Sequence, residues 1–177
     1  MVDNASSGKT IEHYRLIKQL GEGNFGVGWL AEDMNTDGNK VCVKIFRNMD
    51  ESTETSFRAE VSAGQQGLFH KNVLRLLGAG KSELKKDGVT VGDEIFYIVS
   101  ELAENGESFE YVQMAEGLED QYARAMFKQI VEAVSFVHSK GVAHRDLKLE
   151  NLFLARDCVI KLADFGLMKA FEGPMGS

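Results

Sequence analysis

The residues best suited to chemistry lie in one charged loop and in a short segment that follows it. The loop reads Val-Ala-His-Arg-Asp-Leu-Lys-Leu-Glu-Asn over 142–151 and carries Asp146, Lys148 and Asn151. After two short apolar runs, Asp164 stands within Leu-Ala-Asp-Phe-Gly. Two carboxylates, one amine and one amide on adjoining loops suit a site that aligns a hydroxyl group and holds a divalent metal ion against phosphates.

A glycine-rich segment near the beginning of the chain is a second candidate site. Gly21, Gly23 and Gly26 have the spacing G-x-G-x-x-G, which dinucleotide-binding βαβ units share, although their glycines lead into a helix. Here β-prone residues and an Asp-Gly pair at 37–38 follow. They favour a strand–loop–strand whose backbone N–H groups can approach phosphates. An alternative for the segment is a plain glycine-rich turn that binds no ligand. An alternative function, dinucleotide-dependent oxidoreductase, rests on this loop alone.

Five strands are predicted to position these residues. They are expected over 14–20, 27–32, 40–46, 74–79 and 95–100, where β-branched and aromatic residues recur. Lys44 falls on the third strand between apolar neighbours, where an ammonium group is costly unless it is paired. The polar link over 80–94 is expected to be a long solvated loop, and residues 1–10 a loose tail. A short hairpin is expected over 151–154 and 159–163.

Two helices are predicted. The first begins near the candidate N-caps Ser52 and Thr53 and carries Glu60 beside its apolar face. The second covers 121–139 and stops at Gly141. Its residues at helical spacing form one apolar stripe, made of Tyr122, Met126, Ile130, Val134 and Val137.

Composition narrows the class of protein. The chain has 177 residues, of which 44% are hydrophobic, so a folded domain is expected rather than a disordered one. A net charge of −7 argues against nucleic-acid binding, and the chain has no apolar run long enough for a membrane span. Cys42 and Cys158 both lie in apolar runs, which predicts core thiols in a reducing compartment and a cytoplasmic location.

The two motifs together resemble a known family. The loop over 142–151 and the Asp-Phe-Gly segment match, in register, the His-Arg-Asp-Leu-x-x-x-Asn and Asp-Phe-Gly signatures of eukaryotic protein kinases. The resemblance covers roughly Tyr14 to Lys169 and implies an α+β, protein-kinase-like fold. It would have a five-stranded N-lobe sheet with one helix, plus a partial helical C-lobe. The implied domains are a flexible tail over 1–13, an N-lobe with hinge over 14–103 and a truncated C-lobe over 104–177.

The resemblance implies ATP-dependent phosphoryl transfer to Ser/Thr hydroxyls of a protein substrate, with ATP and Mg²⁺ as cofactors. Asp146 would orient the hydroxyl or act as general base, and Lys148 would neutralise charge on the moving phosphoryl group. A lysine at that position is typical of serine/threonine kinases rather than tyrosine kinases. Lys44, paired with Glu60, would hold the α- and β-phosphates.

The resemblance also assigns metal-binding and packing roles. Asn151 and Asp164 would hold Mg²⁺, a hard ion that takes oxygen ligands. His144 and Phe165 are expected to be packing residues that stack within a buried spine. Action of His144 as a general base is the alternative.

The implied nucleotide-binding residues lie on the glycine-rich strands, the third strand, the hinge and the charged loop. They are Leu20, Gly21, Gly23, Phe25, Gly26, Gly28, Cys42, Lys44, Glu101, Ala103, Glu107, Glu150 and Phe153. Backbone groups of Glu101 and Ala103 would pair with the adenine edge. Glu107 would accept a hydrogen bond from a ribose hydroxyl, and the alternative is that it is one more solvated acid.

Three of these residues depart from the usual pattern of the family. Gly28, Cys42 and Phe153 stand where Val, Ala and Leu are usual. Together they predict an adenine-binding pocket whose lining is smaller at Gly28, slightly larger at Cys42 and bulkier at Phe153. We expect these changes to compensate one another.

The end of the chain is the largest departure. Eleven residues follow Gly166, without the family's Ala-Pro-Glu motif. The expectation is a chain truncated shortly after Asp-Phe-Gly, whether a natural truncation, a fragment or a mis-ended product. The helix over 121–139 would then expose apolar surface and associate through it. A catalytically weak or inactive chain, acting as a nucleotide-binding regulator or decoy, is therefore a second hypothesis.

Overall fold

The computed structural model describes residues 8–23, 25–47 and 49–171. Its strands are β1 Lys9–Ile11, β2 Tyr14–Glu22, β3 Gly26–Asp33, β4 Asn39–Phe46, β5 Leu76–Lys86, β6 Val89–Glu101, β7 Val142–Ala143, β8 Leu152–Leu154, β9 Ile160–Leu162 and β10 Lys169–Ala170. Its α-helices are α1 Glu51–Gln65, α2 Ser108–Met114 and α3 Asp120–Ser139. The predicted α+β class is confirmed.

The chain forms two compact units. Unit 1 takes Met1–Phe57 and Leu76–Leu102, and unit 2 takes Arg58–Arg75 and Ala103–Ser177. The predicted division into an N-lobe with hinge over 14–103 and a C-lobe over 104–177 stays a prediction.

Unit 1 is a closed antiparallel barrel with the strand order β1-β2-β3-β4-β6-β5. Strand β1 pairs with both β2 and β5 and so closes the sheet. Its buried core consists of Ile11, Leu16, Ala31, Val41, Val43, Tyr97 and Val99. The sequence predicted five strands and a flexible tail over 1–13. That prediction is wrong for β1, which is a sixth strand of the barrel and whose residue Ile11 is fully buried. A turn at Glu12 and His13 folds this short segment back onto β2.

The hairpin of β5 and β6 replaces the solvated loop predicted over 80–94. The two strands stay paired as far as Lys86 and Val89, with Asp87 and Gly88 forming the turn. Both turn residues have positive φ, at 52° and 81°, as a two-residue hairpin turn with right-handed twist requires. The prediction failed because this ribbon is polar and mostly exposed, so it lacks the apolar signal of a strand.

Helix α1 begins one residue after its capping side chain. Asp50 Oδ1 accepts a hydrogen bond from the backbone N–H of Thr53 at 2.8 Å, and this bond holds the pKa of Asp50 below its ordinary range. The predicted caps Ser52 and Thr53 lie inside the helix instead. An aspartate satisfies the orphan N–H groups of a first turn as well as serine or threonine does, so composition alone could not choose among them.

Unit 2 is built around α3 and the small antiparallel hairpin of β8 and β9. Its buried core includes Val73, Ala133, Val137, Leu152 and Leu162. Of the predicted apolar stripe, Val137 is buried and Met126, Ile130 and Val134 pack against this core. Tyr122 is 59% exposed, in agreement with the expectation that this helix exposes apolar surface.

The end of α3 and the segment that follows it agree with prediction and add one strand pair. Gly141, with φ of 69°, follows the helix, as a glycine in the left-handed region commonly does. Strand β7 then pairs with β10, a pairing that the sequence did not predict. Helix α2 was likewise missed, because its seven residues lie in a polar stretch.

Two sequence-based expectations concern the surface. Cys158 is exposed and Cys42 is half-buried, so the predicted core thiol is wrong for Cys158, which lies in the turn before β9. Among the residues that the structure describes, no helix has both the length and the hydropathy needed to cross a membrane.

Candidate active site

The charged loop of unit 2 gathers Lys148 and the predicted metal-binding residue Asn151 around the carboxylate of Asp146. Lys148 Nζ lies 2.9 Å from Asp146 Oδ2. Asn151 Nδ2 donates to the same Oδ2 at 2.9 Å and to the backbone oxygen of Asp146 at 2.8 Å. The turn of 3₁₀ helix at Leu149–Asn151 makes this possible, because it brings Asn151 back beside Asp146.

Charge and hydrogen bonding keep Asp146 ionised. The hydrogen bond from Lys148 is the largest cause of a lowered pKa at Asp146, and the bond from Asn151 adds to it. The same contact raises the pKa of Lys148. At neutral pH the pair is therefore a carboxylate beside an ammonium group, with the carboxylate's position fixed by two donors.

His144 is a packing residue, as the resemblance implied. It is 2% exposed, and its ring meets the Phe165 ring edge to face with centroids 4.7 Å apart. Its Nδ1 accepts from the backbone N–H of Asp146, and its Nε2 lies 2.8 Å from the carbonyl oxygen of Ala163. Those partners require a neutral ring protonated at Nε2, and burial lowers the pKa of His144.

Asp164 follows β9 with a left-handed backbone, at φ of 60°. Its Oδ1 accepts a hydrogen bond from the N–H of Gly166 at 3.2 Å. The N–H of Ala163 donates to the carbonyl oxygen of Asn151 at 2.9 Å. This bond ties the two predicted metal-binding segments together within unit 2.

The residues present fit a hard cation that completes its coordination with water molecules and phosphate oxygens. Since Asn151 uses its amide nitrogen on Asp146, its amide oxygen is the atom suited to a metal, and Asp164 offers a carboxylate as a second ligand. In the described part of the chain no three His, Cys, Asp or Glu residues cluster in a way that would hold a metal. A set of one amide and one carboxylate suits Mg²⁺, which keeps waters and takes phosphate oxygens.

Asn72 is a positioning residue that the sequence analysis missed. It is fully buried, and its Nδ2 donates to Gln129 Oε1 at 2.8 Å and to the carbonyl of Ile160 at 2.9 Å. Its own carbonyl accepts from the N–H of Leu162. Asn72 thus anchors β9, the strand that leads to Asp164. A single asparagine between a lysine and a valine gives no signal that could have revealed this.

The glycine-rich segment of unit 1 is the predicted strand–loop–strand. Strands β2 and β3 flank it, with Gly21 opposite Gly28. A Cβ added at Gly26 would lie 2.3 Å from the carbonyl oxygen of Ile45, so the barrel itself requires this glycine. A Cβ at Gly21 or Gly23 would meet nothing within 4 Å. Packing within the protein therefore does not explain these two glycines, and they leave open space along the strands.

Lys44 lies near the middle of β4, opposite Gly28 on one side and Ile98 on the other. Its ammonium group lies 4.9 Å from the centroid of the Phe46 ring. Glu60 is on α1 and is only 8% exposed. The pairing of these two residues stays a prediction.

The other predicted nucleotide-binding residues divide between the two units. In unit 1, the register places Glu101 opposite Val41 at the end of β6, and Leu20 is exposed on β2. In unit 2, Glu107 forms a bridge with Phe153. Burial, and then the charges of Glu110 and Glu150, raise the pKa of Glu107.

The remaining residues of that set can be placed briefly. Phe25 is half-buried at the tip of the loop, and its carbonyl accepts from the N–H of Arg47. Cys42 Sγ lies 3.9 Å from the position of a Cβ at Gly28, an ordinary contact. Ala103 begins the second part of unit 2. Their nucleotide contacts stay predictions.

The sequence of the chain is similar to those of known protein kinases. The model of the protein kinase domain family matches residues 14–175. Maternal embryonic leucine zipper kinase of Danio rerio is 33% identical over 172 residues, covering 97% of this chain and 24% of that protein. A serine/threonine-protein kinase SIK3 homolog of Danio rerio is 36% identical over 165 residues, covering 92% and 13%. Maternal embryonic leucine zipper kinase of Xenopus tropicalis is 35% identical over 164 residues, covering 92% and 23%.

The chain therefore belongs to the protein kinase domain family. The resemblance inferred from the two motifs is confirmed. The chain spans about a quarter or less of the length of the curated relatives it matches.

Proposed function

We propose that this chain carries the ATP-dependent transfer of a phosphoryl group to serine or threonine hydroxyls of protein substrates. The observation that carries the proposal is the arrangement at Asp146, where Lys148 and Asn151 both contact carboxylate atom Oδ2. Phosphoryl transfer needs little covalent chemistry from the protein, so catalysis rests on positioning and on charge. A carboxylate fixed in this way is suited to orient a hydroxyl group.

Asp146 acts on the substrate hydroxyl. Its lowered pKa keeps it ionised, so that it accepts a hydrogen bond from the hydroxyl and takes the proton as the new P–O bond forms. Lys148 holds its ammonium group next to the same carboxylate. From that position it offsets negative charge on the transferring phosphoryl group. The neutral, buried ring of His144 takes no part in the proton transfer.

The glycine-rich strands and Lys44 contact the nucleotide phosphates. The space beside Gly21 and Gly23 lets backbone N–H groups approach an anion. Lys44 binds the α- and β-phosphates. Backbone groups of Glu101 and Ala103 bind the adenine edge.

The ribose and the metal are bound by unit 2. Glu107 accepts from a ribose hydroxyl, and its raised pKa fits an acid in a partly desolvated site. Asn151 and Asp164 hold Mg²⁺ through oxygen atoms. When bound, the metal supplies charge neutralisation at the phosphate oxygens.

A radiolabel transfer assay with Mg²⁺, ATP and a mixed Ser/Thr peptide library tests the proposal. Transfer by the full chain, abolished in Asp164→Ala and retained in the surface control Asp157→Asn, is the expected result. A thermal shift with Mg-ATP but no transfer would instead identify a nucleotide-binding protein without kinase activity. Absence of both shift and transfer would contradict the proposal.

A second function, self-association through α3, is favoured by one observation on that helix. Phe127 is 66% exposed and Val131 is 50% exposed, and the two lie one helical turn apart on the same face. Exposed large apolar side chains in neighbouring positions mark interaction surfaces. Light scattering of the wild type and of Phe127→Ser tests this function, since a monomer in both would contradict self-association.

We also propose a cytoplasmic location. Cys42 and Cys158 are not joined in a disulfide, and unbridged thiols suit a reducing compartment. Fractionation of the natural protein tests this location.

A further inference from the structure

One outward-facing row of side chains crosses unit 1. The antiparallel registers place Lys85 opposite Thr10, Thr10 opposite Arg15, and Arg15 opposite Glu32. Glu32 in turn lies opposite Lys40. Directly opposed residues of neighbouring strands point to the same face of the sheet, with Cβ atoms about 4.5–5.5 Å apart.

This row alternates in charge except at one position. Lys85, Arg15 and Lys40 are cationic, and Glu32 forms an ion pair with Arg15. Thr10 is the uncharged member and has a cation on each side. An anion at Thr10 would complete the alternation without placing like charges opposite each other.

Thr10 is also placed where a modification can occur. It is half-buried on the outer face of β1, while its neighbour Ile11 fills the barrel core. The row's only carboxylate, that of Glu32, is already bonded to Arg15 on the side away from Thr10. The hydroxyl of Thr10 is therefore flanked by cations.

We propose that Thr10 is a phosphorylation site whose phosphate is bound by Arg15 and Lys85. A protein kinase would transfer the γ-phosphoryl group of ATP to Thr10 Oγ1. The new bond joins Oγ1 to phosphorus, the bond from phosphorus to the β,γ-bridging oxygen breaks, and ADP leaves. The hydroxyl proton passes to the base of that kinase.

The modification would fix β1 in the barrel. Strand β1 has three residues and closes the sheet by pairing with β2 and β5. Phosphothreonine carries three acceptor oxygens and a charge of about −1.5 to −2 at neutral pH, enough to bind both cations. Since Arg15 lies on β2 and Lys85 on β5, the phosphate would join β1 to both neighbours.

Hydrogen exchange of the full chain, with phosphothreonine inserted genetically at position 10, tests the geometry. The amides over 9–11 and 84–86 are expected to exchange about fivefold more slowly than in the unmodified chain, as one or two charge-assisted contacts would produce. The double variant Arg15→Gln, Lys85→Gln should remove the effect. Unchanged or faster exchange at β1 would overturn the proposal.

Thr90 provides a matched control. It also lies opposite Lys85, but its hydroxyl donates to Glu83 at 2.7 Å, so a phosphate there meets a carboxylate. Phosphothreonine at position 90 should not slow exchange at β1, and equal slowing would show that no specific clamp exists. Phosphopeptide mapping of the protein from its natural cells should find phosphate on Thr10, and a fully unmodified Thr10 there would overturn the site as a natural modification.

Discussion

Asn151 donates two hydrogen bonds to Asp146 through a single amide nitrogen, one to the backbone oxygen at 2.8 Å and one to Oδ2 at 2.9 Å. The sequence assigns Asn151 to the metal and Asp146 to the hydroxyl, as separate roles. The structure shows that the first residue also positions the second. The amide oxygen and nitrogen of one side chain can thus link metal binding to hydroxyl orientation.

Replacing Lys148 with methionine should shift the pH dependence of phosphoryl transfer. Lys148 is the main cause of the lowered pKa of Asp146, so its removal raises that pKa toward the ordinary range. Protonation then occurs at higher pH, and the acid limb of the kcat/KM profile moves upward. The rate at neutral pH should fall by about 10²-fold, as for loss of one charge stabilising a transition state.

Lys148→Arg is the matched control, since it keeps the charge beside Asp146. It should retain the acid limb of the wild type. An unshifted limb in Lys148→Met would show that Lys148 does not control the ionisation of Asp146.

The stability of the chain should depend on His144 in mildly acidic solution. Burial lowers the pKa of this ring in the folded state, so the unfolded chain binds a proton more readily. The stability contribution is therefore present above the ordinary pKa of histidine and is lost as pH falls through and below it. The slope from this residue is at most about 1.4 kcal/mol per pH unit.

Urea unfolding between about pH 7 and pH 5 measures this dependence. In His144→Gln the free energy of unfolding should be lower at neutral pH, by about 1–3 kcal/mol for lost buried hydrogen bonds. Its decline with falling pH should also be shallower than in the wild type. Equal slopes in the two proteins would assign the dependence to other groups.

The glycines of the loop should separate into a structural and a ligand-facing class. Gly26→Ala places a Cβ against the carbonyl oxygen of Ile45, and overpacking of this kind costs about 1–3 kcal/mol. Gly23→Ala places a Cβ with no atom of the described residues beyond its chain neighbours within 4 Å, and should change stability by less than about 0.5 kcal/mol.

Thermal unfolding and Mg-ATP titration of both variants measure the two effects. Gly23→Ala should weaken nucleotide affinity while its melting temperature stays near that of the wild type. A Gly23→Ala variant with unchanged affinity would contradict the role of this glycine in phosphate binding.

Asn72→Ala should destabilise unit 2. The substitution removes the hydrogen bonds that the Asn72 side chain donates to the carbonyl of Ile160 and to Gln129 Oε1, and loss of a buried donor costs about 1–3 kcal/mol. Asn105→Ala, which removes an exposed bond to the carbonyl of Ala155, is the control and should cost less. Equal effects of the two substitutions in urea unfolding would argue against Asn72 as the anchor of β9.

The proximity of the charged-loop residues could be predicted from the sequence more readily than the elements around them. The charged loop could be read directly because its residues fall within ten positions of one another, over 142–151. A 3₁₀ turn is then enough to bring Asp146, Lys148 and Asn151 together. The role of His144 also followed from the motif, and its burial against Phe165 confirms it.

The elements that were missed depend on contacts distant in the sequence. Strand β1 forms because Ile11 fills the barrel and because Lys9–Ile11 pairs with β5, far along the chain. The bonds of Asn72 to Gln129 and Ile160 also join residues that are far apart in the sequence. Local composition around a polar tail or a single asparagine contains no information about such partners.

The single-turnover rate of phosphoryl transfer in Asp146→Asn tests the central claim most directly. The substitution keeps the size of the side chain but removes the charge that accepts the hydroxyl proton. The rate is expected to fall by about 10²–10⁴-fold, the range for loss of a general base, with Mg-ATP affinity close to that of the wild type and full activity in Asp157→Asn. Transfer by Asp146→Asn at the wild-type rate would contradict the claim.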